Sequence, residues 1–123
     1  METLTRKEEE IMQILWDLRE AFVKDIINNL PEPKPPYNTI SSVVRILEKK
    51  GFVGHKAFGK TYMYFPLIEK KAYRKHAFKN LMRSYFEGSY KNVISYLIKD
   101  EELSEKDLEE LNELKDILKS KEQ

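Results

Sequence analysis

Cysteine is absent from all 123 residues. That excludes disulfides, zinc fingers, and copper or iron–sulfur sites built on thiolates, and it leaves the redox compartment unread. Long apolar runs are absent too: nothing approaches the roughly 20 residues needed to span a bilayer. The opening METLTRKEEE is charged and has no apolar centre, so it does not read as a secretory signal. A cytoplasmic protein without membrane insertion is expected. Histidine is scarce. His55 and His76 fall in a strand-like run and a basic helix, and neither shows an acidic or cysteine partner nearby in sequence. A glycine-rich phosphate loop and a nucleophile motif are both missing. The expectation is a non-enzyme with no cofactor and no metal. Asp100, Glu101 and Glu102 form an acidic run suited to a divalent cation, but it reads better as a solvated turn between helices.

The formal net charge is +1, and its distribution is uneven. Residues 34–83 carry 12 Lys/Arg and only two acids, Glu48 and Glu69, for a local charge of +10. The flanks are acidic, −4 over residues 1–33 and −5 over 84–123. Such a block reads either as a set of solvated helix faces or as an electrostatic footprint for a polyanion.

Thr5 followed by Glu8 forms a capping box that starts a first helix, with Ile11, Leu15 and Leu18 at helical spacing and Leu4 placed for a hydrophobic staple. Residues 21–23 are a short β-favouring step, and Val23–Leu30 reads as a second helix. Four prolines between Pro31 and Pro36 make a stiff extended connection. A third helix follows, from Asn38 or Thr39 to Lys50, and Gly51 suits the left-handed position past its end. The period then changes to two. Phe52–Phe58 and Thr61–Phe65 flank a Gly59-Lys60 turn and read as a hairpin stopped by Pro66. Three more helices complete the chain, separated at Gly88 and restarted at Ser104 with Asp107 in the first turn.

Three helices and a hairpin, in that order, form a winged helix. The expected architecture is mainly α with a small β-hairpin: a winged-helix DNA-binding domain over residues 1–68 and a helical dimerisation region over 69–123. On the third helix Ile40, Val43, Val44 and Leu47 face inward, while Asn38, Thr39, Ser41, Ser42, Arg45 and Lys49 are placed outward. Small polar side chains at the leading end admit close approach to base edges, and Arg45 suits a guanine edge or a phosphate. Lys49, Lys50, Lys56 and Lys60 are placed for phosphates of a double-stranded DNA operator. The competing reading is a winged-helix interaction module whose basic face meets an acidic protein partner.

The later apolar stripes exceed what a small N-terminal unit can cover. They run through Tyr73, Phe78, Leu81, Met82, Tyr85 and Phe86, then Val93, Ile94 and Leu97, then Leu108 and Leu111. A second copy of the same arm would bury them in a two-fold homodimer.

Four segments, LTRKEEEIMQILW from Leu4, TISSVVRILEKKG from Thr39, YMYFPL from Tyr62 and KDEELSEKDLEEL from Lys99, together resemble the penicillinase and methicillin-resistance repressors, the BlaI/MecI/CopY family. The resemblance covers nearly the whole chain. It implies winged-helix repressors that dimerise through C-terminal helices on palindromic operators. In the antibiotic-resistance members it implies release after a membrane sensor-protease triggers cleavage within the arm, at a point that aligns with Tyr96 and Leu97 here. The copper-responsive members use C-terminal cysteines, which this chain lacks. Where the family often has arginine this chain has Ile46, with Arg45 one position earlier. One position is a rotation of about 100° around a helix, so that contact does not transfer. The family also often carries a bulkier or basic residue where Ser41 stands.

Overall fold

The computed structural model describes residues 1–99 and 103–122, so the acidic run at Asp100, Glu101 and Glu102 lies outside the described residues. The chain divides into two compact units, Met1–Phe78 and Lys79–Gln123.

In the first unit, helix α1 (Arg6–Leu18) starts on the expected capping box. The Glu8 amide donates to the Thr5 hydroxyl at 3.2 Å, and the Thr5 amide donates to Oε1 of Glu8 at 2.8 Å. Ile11, Met12, Leu15 and Trp16 point into the core. Strand β1 (Ala21–Phe22) leads directly into α2 (Val23–Asn28). After the proline-rich connection come α3 (Tyr37–Lys49), β2 (Val53–Phe58) and β3 (Thr61–Pro66). The sheet is antiparallel in the order β1-β3-β2, so the hairpin gains a third, two-residue strand. Pro66 does not stop β3 early but closes it opposite Val53. It is tolerated there because β1 pairs only with Met63 and Tyr64, leaving no neighbour to need the missing amide. This three-helix bundle with a β-wing is a winged helix.

The unit also reaches past residue 68. Helix α4 (Lys70–Phe86) sends Tyr73 into the core, 6.0 Å from the Trp16 ring and 5.7 Å from the Phe52 ring. The Tyr73 hydroxyl accepts from the Leu4 amide at 3.0 Å and donates to Glu9 at 2.9 Å. Trp16 donates its indole N–H to the Ile68 carbonyl at 2.9 Å. Tyr73 is therefore a core residue of the first unit, not an apolar group awaiting a partner.

In the second unit, α4 is closed off two residues past its end by Gly88, whose φ of +74° is left-handed and whose amide donates to the Met82 carbonyl. Helix α5 (Tyr90–Lys99) starts at Ser89, and α6 (Glu105–Glu122) starts on a reciprocal Ser104–Asp107 cap. Met82, expected at an interface, is already buried. By contrast α5 has no buried residue, and Ile94, Ile98, Leu108, Leu111, Leu114 and Leu118 line an open groove between α5 and α6.

A buried ion pair ties α3 to α1. Lys50, just past the last turn of α3, donates to both oxygens of Glu8, at 2.9 and 3.0 Å. Burial pushes the Glu8 carboxyl up, but the Thr5 amide and the Lys50 ammonium outweigh it and hold the group below its ordinary range. Removing one partner of a buried pair costs about 3–5 kcal/mol, and Lys50 is partly solvated, so Glu8→Ala should cost about 3 kcal/mol. Because the folded pKa lies below the unfolded one, this contribution is complete above the ordinary carboxylate range. It is lost as pH falls through the lowered value. Acid unfolding followed by fluorescence of the single tryptophan, Trp16, should therefore be shallower in Glu8→Gln than in the native chain.

Candidate nucleic-acid interface

Helix α3 separates two faces at i, i+3, i+4 spacing. Ile40, Val44 and Leu47 are fully buried, and Val43 packs at the margin. Tyr37, Asn38, Thr39, Ser42, Arg45, Ile46 and Lys49 are exposed. Ser41 departs from expectation. It is buried beside Val44, one turn on, at the floor of a cleft rather than on the outer rim. Its small side chain leaves the cleft deep.

The cleft lies between α3 and the wing. Tyr37, Asn38, Ser41 and Arg45 line the helix side, and Lys60, Thr61, Tyr62 and Tyr64 line the wing side. Two cations thus face the same opening from different elements. Gly59, at a φ of +62°, allows the tight turn that presents Lys60, and the Thr61 hydroxyl closes that turn on the Phe58 carbonyl at 2.9 Å. Lys56 is exposed on β2, its ammonium 5.8 Å from the centre of the Phe65 ring.

Lys50, expected on phosphate, has its ammonium on Glu8 and lies 4.0 Å from Glu2. The structure adds Tyr37, Thr61 and Tyr62. Strand alternation in β3 carried the signal for Tyr62 and Tyr64, which share a face two residues apart. Tyr37 had only its place ahead of Asn38. The histidines are also better partnered than their sequence neighbourhoods indicate. Nδ1 of His55 meets Oε2 of Glu48, and Nε2 of His76 lies 3.5 Å from the Thr3 hydroxyl. Tyr64 is held above its ordinary pKa by burial first and by the Glu48 carboxylate second, so its phenol keeps its proton. Among the described residues there is no cluster of three metal-ligating side chains and no helix long and apolar enough to cross a membrane.

An amphipathic third helix, a lysine-tipped wing and a shared basic cleft define the class: a winged-helix protein built to meet nucleic acid. The chain belongs to the penicillinase repressor family of transcriptional repressors, whose family model matches residues 4–117. It is 28% identical over 112 residues to the methicillin resistance regulatory protein MecI of Staphylococcus aureus strain N315, covering 90% of this chain and 91% of that one. It is 25% identical over 110 residues to the penicillinase repressor of Bacillus licheniformis, covering 89% and 84%. A solved CopR repressor is similar at 28% identity with a TM-score of 0.46, covering 55% of this chain and 100% of that one.

Lys60, exposed at the wing tip, and Lys50, paired with Glu8, should behave differently against duplex DNA. Lys60→Ala should flatten the slope of log affinity against log salt by about 0.9, the value of one phosphate contact. Lys50→Ala should leave that slope unchanged and lower the melting temperature instead. Titrations at several salt concentrations, paired with thermal melts, check both.

Proposed function

We propose that the chain is a homodimeric repressor that reads a two-half-site operator and releases it when its C-terminal arm is disturbed. The observation that carries this reading is the cleft where Arg45 of α3 and Lys60 of the wing face one opening. Asn38, Thr39, Ser42 and Arg45 are the candidates for base edges. Lys49, Lys56 and Lys60 are the candidates for phosphate, and Ser41 shapes the floor between them. The site of action is the cytoplasm, on double-stranded DNA.

Dimerisation is supported by the second unit. Leu81, Tyr85, Ile94, Leu108 and Leu114 remain exposed in the single chain, with Phe78 exposed at the end of the first unit. Phe86, Val93, Leu97 and Leu111 are half-buried. Two-fold pairing of such arms buries these side chains and sets two recognition helices on a palindrome. The proposed upstream signal is a membrane sensor-protease system. Tyr96 is exposed and Leu97 half-buried within α5. A protease needs extended backbone, so a cut there requires α5 to open first.

Selection of bound duplexes from a random pool, followed by salt titration, tests the proposal. Steep salt dependence on a palindromic consensus is expected. Binding to acidic proteins without binding to duplex would favour the interaction-module reading and overturn this one. Against the selected operator, Arg45→Ala should cost on the order of 1–3 kcal/mol and relax preference at one or two base pairs per half-site. An equal loss on every sequence would place Arg45 on phosphate.

A chain ending at Tyr96 should keep the first unit folded, since its core lies upstream. It should sediment as a monomer and bind the operator more weakly, because the second half-site contact is no longer intramolecular. A dimeric species with full affinity would place the interface elsewhere.

A further inference from the structure

Glu48 stands in α3 three residues after Arg45, on a helix with no other acid. A carboxylate there repels phosphate, and at that spacing it can reach the guanidinium. Yet among the described residues Arg45 makes no ion pair, and Glu48 is held from the other side. Nδ1 of His55, on β2, meets Oε2 of Glu48. An ionised carboxylate only accepts, so Nδ1 must carry the hydrogen. The imidazole is fixed in turn by the wing. It stacks on Tyr62 with centroids 4.3 Å apart and planes at 28°, and it lies 5.9 Å from Tyr64, its register partner on β3. Tyr62, Tyr64 and Arg45 all line the cleft.

We infer that His55 is a positioning residue for DNA recognition: it holds the Glu48 carboxylate against the wing and so leaves Arg45 unpaired. The inference rests on the reading of α3 and the wing as the DNA-binding surface. A merely structural contact would make every variant at either position weaker in proportion to its loss of stability. A positioning contact makes the two substitutions non-additive. Without His55, Glu48 is released toward Arg45. Without the charge on Glu48, there is nothing to hold away.

The test uses the full chain and the duplex selected by the native protein. Affinity is measured at fixed salt, below the melting temperature of every variant. His55→Ala should weaken binding about tenfold, the scale of one lost base-edge contact. Glu48→Gln should bind within about twofold of the native chain, as should the double variant His55→Ala/Glu48→Gln. His55→Gln, which keeps a side-chain N–H donor, should retain most of the affinity. Native binding by His55→Ala, a double variant as weak as His55→Ala, or a tenfold loss in Glu48→Gln or His55→Gln would each overturn the inference while leaving the proposed function intact. A native chain that selects no duplex would overturn both.

Discussion

The Glu8 carboxylate is the joint between the helix that starts the fold and the helix that faces outward. Burying a charge costs several kcal/mol unless hydrogen bonds and a counter-ion offset it. Here the Thr5 amide and the Lys50 ammonium converge on one side chain, while the Thr5 hydroxyl accepts from the Glu8 backbone amide. The start of α1 and the end of α3 are thereby fixed to each other. With its last turn pinned and Ile40, Val44 and Leu47 sunk in the core, α3 has one rotational setting about its axis. That setting decides which side chains meet the cleft. It also withdraws Lys50 from the surface, so the exposed cations of this region are Arg45, Lys49, Lys56 and Lys60.

Features that depend on neighbours in sequence were legible in the sequence. Both Ser/Thr capping boxes, the Gly59-Lys60 turn and the left-handed Gly51 and Gly88 stand where local chemistry puts them. The mainly helical winged-helix architecture followed from their order. Features that depend on distant partners were not legible. Lys50 and Glu8 are 42 residues apart, and Tyr73 and Leu4 are 69 apart. Periodicity says that a residue shares a stripe, not what the stripe touches. The stripe Tyr73, Ala77, Leu81, Tyr85 steps evenly by four, yet Tyr73 and Ala77 join the first unit's core while Leu81 and Tyr85 stay exposed. Ser41 lies at the boundary between the two faces of α3, where a polar residue next to Ile40 gives no sign of which way it is turned.

The wing packs its rings closely on a narrow sheet. On one face His55, Tyr62 and Tyr64 pack together. Gly54 gives Phe65 its place: a Cβ there would stand 3.0 Å from the Phe65 ring. Any larger residue at Gly54 must displace that ring, over which Lys56 lies. A two-stranded hairpin alone is marginal in water. The aromatic layer and the short β1 strand supply packing and pairing that a lone hairpin lacks.

Among the described residues, no side-chain hydrogen bond or ion pair holds Asn38, Thr39, Ser42, Arg45 or Lys49 to the rest of the fold. Exposed positions of this kind usually change stability by less than about 0.5 kcal/mol when replaced. The core and the outward surface are therefore set by opposite sides of the same thirteen-residue helix. A lineage carrying this scaffold can change that outward face one residue at a time without passing through an unfolded intermediate.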